Sequence, residues 1–225
     1  MKVKICGIKS VEDLKIAVEA GADAMGFLVG QLHASTDFVL PSTASRLTSD
    51  LPPYTSPVIV THLIDADEIF DIVKKTSIST VQMHGGSPLK EVKKLRKLMS
   101  PDSKIILAVH IVYDRPELDY EEFYPFIDAI LLDSFNKNTG QVGGTGKTHN
   151  WDKSAEVVKS CKVPVILAGG LTPENVAEAI EKVKPFGVDA NSGLKNEDGS
   201  RSAELCRKFV INAKTAFLKV KIQIP

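Results

Sequence analysis

Two side chains that could move protons stand at the ends of short apolar runs. Cys6 follows the run 3–5 with Gly7 directly behind it, and Asp133 follows the run 128–132. A thiol with a lowered pKa can remove a proton from carbon, and a carboxyl group can protonate an oxygen. An aldose-to-ketose rearrangement needs such a pair, one group to open the sugar ring and one to take the C2 proton. Taken singly, Cys6 could equally be a packed small hydrophobe, and Asp133 a carboxylate that accepts backbone N–H bonds.

All five histidines also follow apolar runs, so they are expected to project to the same edge as Cys6 and Asp133. Imidazole and carboxylate groups can bind zinc or iron, but spacing along the chain does not by itself show a metal site. We therefore predict a shared polar pocket and no metal. The histidines are His33, His62, His84, His110 and His149.

Three glycine-containing segments have the composition of phosphate cradles. The segment 140–148 resembles a P-loop, but Gln141 stands where that motif requires glycine. The segments 168–171 and 191–193 follow the last two apolar runs. Backbone N–H groups can approach phosphate closely where side chains are missing. Together, the three segments predict a phosphorylated substrate.

Eight short apolar runs must position these groups, and each precedes a stretch with helical spacing of apolar residues. Strands that are apolar throughout and alternate with helices predict a parallel sheet covered by helices. Eight such units in this length favour a single α/β (β/α)₈ TIM barrel, whose strand ends carry the chemistry. A doubly wound open sheet is the alternative, but the glycine fingerprint that usually opens one is missing. The runs are 3–8, 23–29, 57–63, 79–85, 104–110, 128–134, 163–170 and 186–193.

The domain organisation predicted from these runs is a barrel over residues 1–217 and a C-terminal extension over 218–225. The extension alternates apolar and polar residues, so it could add a strand to a neighbour or cover the barrel floor. Basic and acidic residues balance at 28 each, which implies no nucleic-acid or membrane partner. Three scattered cysteines and no signal-peptide pattern predict a cytoplasmic protein, either monomer or homodimer.

Seven motifs lie in order along nearly the whole chain. They are KICGI (4–8), GADAMGF (21–27), VQMHG (81–85), LLDS (131–134), GGTGKTHNW (143–151), ILAGGLTPENV (166–176) and PFGVDANSGLK (185–195). Their order and identity resemble the phosphoribosylanthranilate isomerase family of tryptophan biosynthesis. The resemblance implies a (β/α)₈ barrel that catalyses an Amadori rearrangement of N-(5-phosphoribosyl)anthranilate without cofactor or metal.

The resemblance implies a role for each matching residue. Cys6 would be the general base and Asp133 the general acid, with Asp189 near the sugar hydroxyls. His84 matches a histidine of the family motif at the end of the fourth strand. The residues implied around the phosphate are Gly144, Gly146, Gly169, Gly170, Asn191, Ser192 and Gly193.

The sequence departs from the family pattern at several positions, and two of the departures change a charge. Asp37 stands where the family has an arginine that binds the anthranilate carboxylate, and Lys195 replaces an acid. Either His33, His62 or His110 supplies the positive charge instead, or the substrate carries a different aglycone. The alternatives are therefore a paralogous phosphosugar isomerase or lyase, with or without a metal, and a non-catalytic phosphometabolite-binding barrel.

Overall fold

The computed structural model describes residues 1–32, 34–136, 141–142 and 150–222. Eight parallel strands pair side by side, and the ring closes because the first strand pairs with both the second and the last. The predicted (β/α)₈ barrel is thereby confirmed. The barrel strands are β1 (Lys2–Cys6), β2 (Ala24–Leu28), β3 (Ser56–Thr61), β4 (Thr80–Met83), β5 (Lys104–Val112), β7 (Ala129–Asn136), β9 (Val165–Leu167) and β10 (Gly187–Ala190).

Two short strands extend the rim of the barrel beyond this ring. The strand β6 (Arg115–Pro116) pairs antiparallel with β5, and β8 (Gln141–Val142) pairs antiparallel with β7. Both lie on the side where the barrel strands end. They therefore add backbone around the opening where the site was predicted.

Helices cover the outside of the ring. Ser10 and Asp65 begin the first and third helices by accepting backbone N–H bonds, as N-cap residues do. The helices are α1 (Val11–Glu19), α2 (Pro41–Thr48), α3 (Ala66–Thr76), α4 (Leu89–Leu98), α5 (Trp151–Ser160), α6 (Val176–Val183) and α7 (Ala203–Ile222), with 3₁₀ segments at Tyr120–Phe126 and Ser192–Leu194.

The fifth strand–helix unit differs from the others. We expected helical packing after every strand, but β5 is followed by the 3₁₀ segment Tyr120–Phe126, which contains Pro125. Proline removes a backbone donor and its ring clashes with the preceding turn, so a regular α-helix is disfavoured there. Tyr120 and Phe123 still pack into the core.

Side-chain alternation divides the core into two layers. Along β5, Ile105, Leu107 and Val109 belong to the large cluster between strands and helices. Ile106 and Ala108 belong to a smaller cluster inside the barrel. His110 is the next residue in this inward-facing series, because side chains in a strand alternate with period two. The same rule brings Cys6 and Asp133 to the barrel interior.

The C-terminal tail corrects one expectation. We expected an extension beyond the last helix from residue 218, but α7 continues to Ile222, so residues 218–222 are helical. A terminal strand would need a free sheet edge, and the closed ring offers none within the chain. The division of the chain at residue 217 otherwise stays a prediction. Within the described ranges, no helix has the length and apolar character needed to cross a membrane.

Candidate active site

The proposed base lies in a pocket with a buried ion pair. Cys6 ends β1, and its thiol hydrogen-bonds Lys4, whose Nζ lies 2.7 Å from Asp189 Oδ2. Burial raises the pKa of the Cys6 thiol to about 11, and the Lys4 ammonium only partly offsets this effect. The thiol therefore carries its proton at neutral pH in the ligand-free protein.

Space for this thiol comes from a glycine on the neighbouring strand. A Cβ at Gly26 would lie 2.7 Å from Cys6 Sγ and 3.1 Å from Lys4 Nζ. Because real Cβ atoms do not approach so closely, any larger residue at position 26 would displace the thiol or the ammonium. The missing side chain at Gly26 therefore provides the space that the Cys6 thiol occupies.

Lys4 is a residue that the sequence analysis missed. It lies 4% exposed inside the barrel, where the carboxylate of Asp189 and the thiol of Cys6 more than offset burial and raise its pKa. The sequence pattern alone could have identified Lys4, because it stands two residues before Cys6 in an apolar strand. The two side chains must therefore lie on the same face of that strand. Asp189 Oδ1 is buried and has no hydrogen-bond partner within the described residues, so it keeps an acceptor inside the barrel.

The proposed acid lies within β7 and within reach of one histidine. Asp133 accepts the Ser134 backbone N–H at 2.6 Å, and His84 Nε2 lies 3.3 Å from its other oxygen. Burial alone would raise the pKa of Asp133, but the hydrogen bond from His84 and the nearby His84 and His110 charges hold it below its usual value. The backbone contact anticipated for Asp133 is present, and the same side chain also faces the interior cluster.

The histidines of three neighbouring strands are brought together, as the shared pocket requires. The ring centroids of His62 and His84 lie 5.4 Å apart, and those of His84 and His110 lie 5.3 Å apart. Gln82 Nε2 lies 3.0 Å from His84 Nδ1. The remaining two histidines, His33 and His149, lie outside the described residues.

Glu117 is a second residue that the sequence did not reveal. Its carboxylate lies 2.5 Å from His110 Nδ1, although it follows the turn after β5 where no periodic pattern marks it. It also accepts the backbone N–H of His110 at 3.1 Å. The nearby hairpin, and not the sequence pattern, creates this contact.

The loops predicted to bind phosphate are only partly described, since Gly144 and Gly146 lie outside the described residues. Gly169 and Gly170 adopt positive φ angles of +82° and +64°. A Cβ at Gly193 would lie 2.2 Å from the carbonyl oxygen of Leu171, so the two last loops pack backbone to backbone. Asn191 and Ser192 stand at the start of the neighbouring 3₁₀ segment. Their contact with phosphate stays a prediction.

Asp37 is neutralised within the protein and does not face the pocket as an isolated negative charge. Both of its oxygens lie 2.6 Å from Lys195 Nζ, and Asn191 donates to Oδ2 at 2.9 Å. Burial would raise the pKa of Asp37, but these hydrogen bonds and the nearby Lys9 hold it below its usual value. The departures at positions 37 and 195 thus form one ion pair.

Arg201 holds the ends of the first and last strands together. Its guanidinium donates to the carbonyl oxygens of Cys6 at 2.6 Å and Gly7 at 3.2 Å, and to that of Asn191 at 3.0 Å. The loop that contains Arg201 resembles a polar surface loop in sequence. Its role follows only from contacts that are remote along the chain.

Comparison with known proteins places this arrangement in a family. A model of the N-(5'-phosphoribosyl)anthranilate (PRA) isomerase family matches residues 3–212. N-(5'-phosphoribosyl)anthranilate isomerase 2 of Methanosarcina mazei is 43% identical over 221 residues, which cover 98% of this chain and 97% of that protein. N-(5'-phosphoribosyl)anthranilate isomerase of Haloarcula marismortui is 37% identical over 215 residues, with 96% and 97% covered.

Solved structures agree with these sequence relatives. Phosphoribosyl anthranilate isomerase from Thermotoga maritima superposes with a TM-score of 0.79 at 32% identity, covering 96% of this chain and 99% of that one. A phosphoribosyl anthranilate isomerase in complex with reduced 1-(o-carboxyphenylamino)-1-deoxyribulose 5-phosphate gives a TM-score of 0.76 at 30% identity and the same coverage. On its motifs, its closed barrel and these matches, the chain belongs to the N-(5'-phosphoribosyl)anthranilate isomerase family.

Proposed function

We propose that this protein converts N-(5'-phosphoribosyl)anthranilate into 1-(o-carboxyphenylamino)-1-deoxyribulose 5-phosphate, a step of tryptophan biosynthesis. The observation that carries the proposal is the placement of Cys6 and Asp133. Both are buried and face the barrel interior, Cys6 as the last residue of β1 and Asp133 in the carboxyl-terminal half of β7. The substrate sites of such barrels lie at this side of the strands. Membership in the family and the ligand bound by one solved relative support the same substrate.

The reaction divides into two proton transfers. The carboxylate is the main form of Asp133 in the ligand-free protein, because its pKa is lowered, so the reaction proceeds from the minor form in which Asp133 carries a proton. This form gives its proton to the ring oxygen, the bond from C1 to that oxygen breaks, and a Schiff base forms at C1. The Cys6 thiolate then removes the proton from C2, and the resulting enol-amine tautomerises to the ketone. C2 is oxidised and C1 is reduced within one molecule, so the enzyme is an intramolecular oxidoreductase and needs no outside electron acceptor.

Lys4 is the group that supports ionisation of the base. Its ammonium hydrogen-bonds the Cys6 thiol and lowers a pKa that burial has raised. An ammonium beside a thiol favours the thiolate through its positive charge. Lys4 therefore acts as a positioning residue through Cys6, while Asp189 holds the ammonium in place.

Binding of the remaining substrate groups follows the placement of the loops. We assign the phosphate to the backbone at Gly144, Gly146, Gly169, Gly170, Asn191, Ser192 and Gly193. Asp189 Oδ1, which has no partner in the described part of the chain, suits a sugar hydroxyl. His84 orients Asp133 from the adjacent strand.

The anthranilate carboxylate is assigned to the lysines around Asp37. Lys9 and Lys195 together carry two positive charges against the single negative charge of Asp37, so the group keeps a net positive charge. The Lys9 side chain is 34% exposed and is the more accessible of the two. These lysines can replace the arginine of the family, whereas His110 is fully buried beneath the rim.

A second candidate function follows from Asp37. A buried aspartate beside the aglycone subsite would also suit a phosphoribosyl compound that lacks a carboxylate. The two candidates differ in one measurement, the ratio of kcat/KM for phosphoribosylanthranilate to that for the phosphoribosyl adduct of aniline. A ratio well above one supports the first candidate, and a ratio below one supports the second.

The direct test is turnover of phosphoribosylanthranilate, followed by its loss of fluorescence, together with growth of a tryptophan auxotroph that carries this gene. Cys6→Ala and Asp133→Asn should each lower kcat by about 10²–10⁴-fold or more, as expected for groups that transfer protons. Cys161→Ala removes a thiol on α5's C-cap and serves as the matched control with unchanged kcat. No turnover by the unaltered protein would refute the proposed function.

The three cysteines are all free, which suits a reducing compartment. We accordingly assign this activity to the cytoplasm. The substrate is the only partner that the proposed reaction requires.

A further inference from the structure

Three potential metal ligands converge on neighbouring strands. His84 directly follows β4, His110 and Asp133 lie in the carboxyl-terminal halves of β5 and β7, and all three are buried. One ligand atom from each lies within 4.8 Å of those from the other two. His110 and Asp133 are direct register partners across β5 and β7, so the strand pairing itself fixes their separation.

His110 has the surroundings of a metal-binding imidazole. Its Nδ1 lies 2.5 Å from the Glu117 carboxylate, while its Nε2 is buried and has no hydrogen-bond partner among the described residues. A metal-bound histidine commonly donates its second ring N–H to a carboxylate, which fixes the tautomer and leaves the other nitrogen as ligand. An unpartnered nitrogen in a fully buried side chain is otherwise costly.

A dedicated hairpin holds Glu117 on this histidine. Tyr113 and Asp114 have φ angles of 50° and 59°, the left-handed pair that a tight two-residue turn requires. The turn returns the chain through β6, and Glu117 N–H then donates to the carbonyl oxygen of His110 at 2.9 Å. Tyr113 and Asp114 thus adopt a strained backbone conformation in the turn that brings the Glu117 carboxylate to the His110 imidazole.

His84 can present the Nε2 lone pair to a metal ion and still keep its hydrogen bond with Gln82. Gln82 Nε2 lies 3.0 Å from His84 Nδ1, whereas Gln82 Oε1 is buried with no partner in the described chain. A half-turn of this amide lets Oε1 accept a hydrogen bond from a protonated Nδ1 instead. The proton of His84 then moves from Nε2 to Nδ1, and the Nε2 lone pair faces Asp133.

We propose that His84 Nε2, His110 Nε2 and Asp133 Oδ2 bind one divalent transition-metal ion of the class that prefers imidazole, with Zn²⁺ as the reference ion. Two histidines and one carboxylate on one side of an ion leave further positions open. The charges balance, because the carboxylates of Asp133 and Glu117 together offset a dication. The inference replaces the expectation of no metal drawn from the sequence.

Closure of the site requires only small movements. Metal–ligand distances of about 2.0–2.2 Å place ligand atoms roughly 3.4 Å apart in a tetrahedral site. His84 Nε2 and Asp133 Oδ2 are already 3.3 Å apart. Since all three ligand atoms lie within 4.8 Å of one another, the remaining change is an approach of at most about 1.4 Å by His110. Metal binding also competes with the proposed isomerisation, because both use the carboxylate of Asp133.

The test uses the full chain, stripped of metal with a chelator that is then removed. Zn²⁺ is titrated by calorimetry and Co²⁺ by visible absorption, without phosphate or substrate. We expect a single equivalent per chain, with cobalt bands typical of nitrogen and oxygen ligands. Glu117→Gln should weaken Zn²⁺ binding by about 10–100-fold, and His110→Gln by at least that much. Cys161→Ala is the matched control and should bind Zn²⁺ as the unaltered protein does.

Two outcomes would overturn the site: no stoichiometric uptake of Zn²⁺ or Co²⁺ by the unaltered protein, or uptake that survives both Glu117→Gln and His110→Gln. Circular dichroism establishes that each variant is folded. If His110→Gln does not fold, Glu117→Gln at the partly exposed rim decides the question. Because binding is measured without turnover, failure of the metal site leaves the proposed isomerase activity unaffected.

Discussion

Removal of the Lys4 ammonium should destabilise the protein far more than removal of a similar lysine at the surface. Lys4 Nζ lies 2.7 Å from Asp189 Oδ2, and both side chains are less than a tenth exposed. At an effective dielectric of about 20, charges this close attract each other by about 6 kcal/mol. Desolvation of the two ions costs several kcal/mol each and offsets most of that attraction.

The consequence is an asymmetry between single and double substitutions. Lys4→Met leaves the Asp189 carboxylate buried without its cation, so the free energy of unfolding should fall by about 3–5 kcal/mol. For a chain of this length, that loss corresponds to a decrease in Tm of roughly 6–20 °C. The double substitution Lys4→Met/Asp189→Leu removes both charges and should cost less than about 2 kcal/mol.

The assay is urea unfolding of the three proteins at one pH, followed by circular dichroism. Lys2→Met provides the matched control, because Lys2 lies on the same strand and pairs with Asp23 at 3.2 Å, but its side chain is 63% exposed. That substitution should cost at most about 1 kcal/mol. A Lys4→Met cost no larger than the Lys2→Met cost, or a double variant that loses as much stability as Lys4→Met or more, would refute the reasoning.

Three further predictions concern the pKa of Cys6, the close packing at Gly85 and the aglycone subsite at Asp37. Because burial raises the pKa of Cys6 to about 11 and the pKa of Asp133 is held below its usual value, the thiolate gains and the protonated acid loses about tenfold per pH unit, so kcat/KM for isomerisation should stay nearly constant from pH 7 to 9; a steep rise or fall across this range contradicts this. Gly85→Ala places a Cβ 2.3 Å from the His62 carbonyl oxygen and should lower the free energy of unfolding in urea by about 1–3 kcal/mol; an unchanged free energy of unfolding contradicts this. Asp37→Asn frees the charge of Lys195 and should lower KM for phosphoribosylanthranilate with little change in kcat; a higher KM argues against carboxylate binding there.

The sequence predicted the barrel because each strand is an apolar run with a polar residue at its carboxyl end. Cys6 and Asp133 were found by that rule, since parallel strands bring such ends to one rim. The sequence pattern did not predict two elements correctly. Pro125 converted the expected fifth helix into a 3₁₀ segment, and the alternating tail became part of α7 because a closed ring has no edge to pair with it.

The supporting residues of the site were harder to predict than the central ones. Lys4 was not singled out in the sequence, although period-two alternation with Cys6 places it inside the barrel. Glu117 depends on the geometry of a turn, which a sequence pattern does not specify. Arg201 contacts Cys6 across a separation of 195 residues, and no local signal can report such a contact. Residues that act through tertiary contacts therefore required the structure.

Closure of the ring has a consequence for synthesis on the ribosome. The strand that carries Cys6 pairs with β10, so its second neighbour is translated only after residue 187. At about 5–20 residues per second, the nascent chain spends roughly 10–40 seconds with an open edge on β1. During that interval the edge is exposed to pairing with other nascent chains. The last strand and Arg201 thus complete both the fold and the surroundings of the thiol, and the protein gains its chemistry only after residue 201 has been translated.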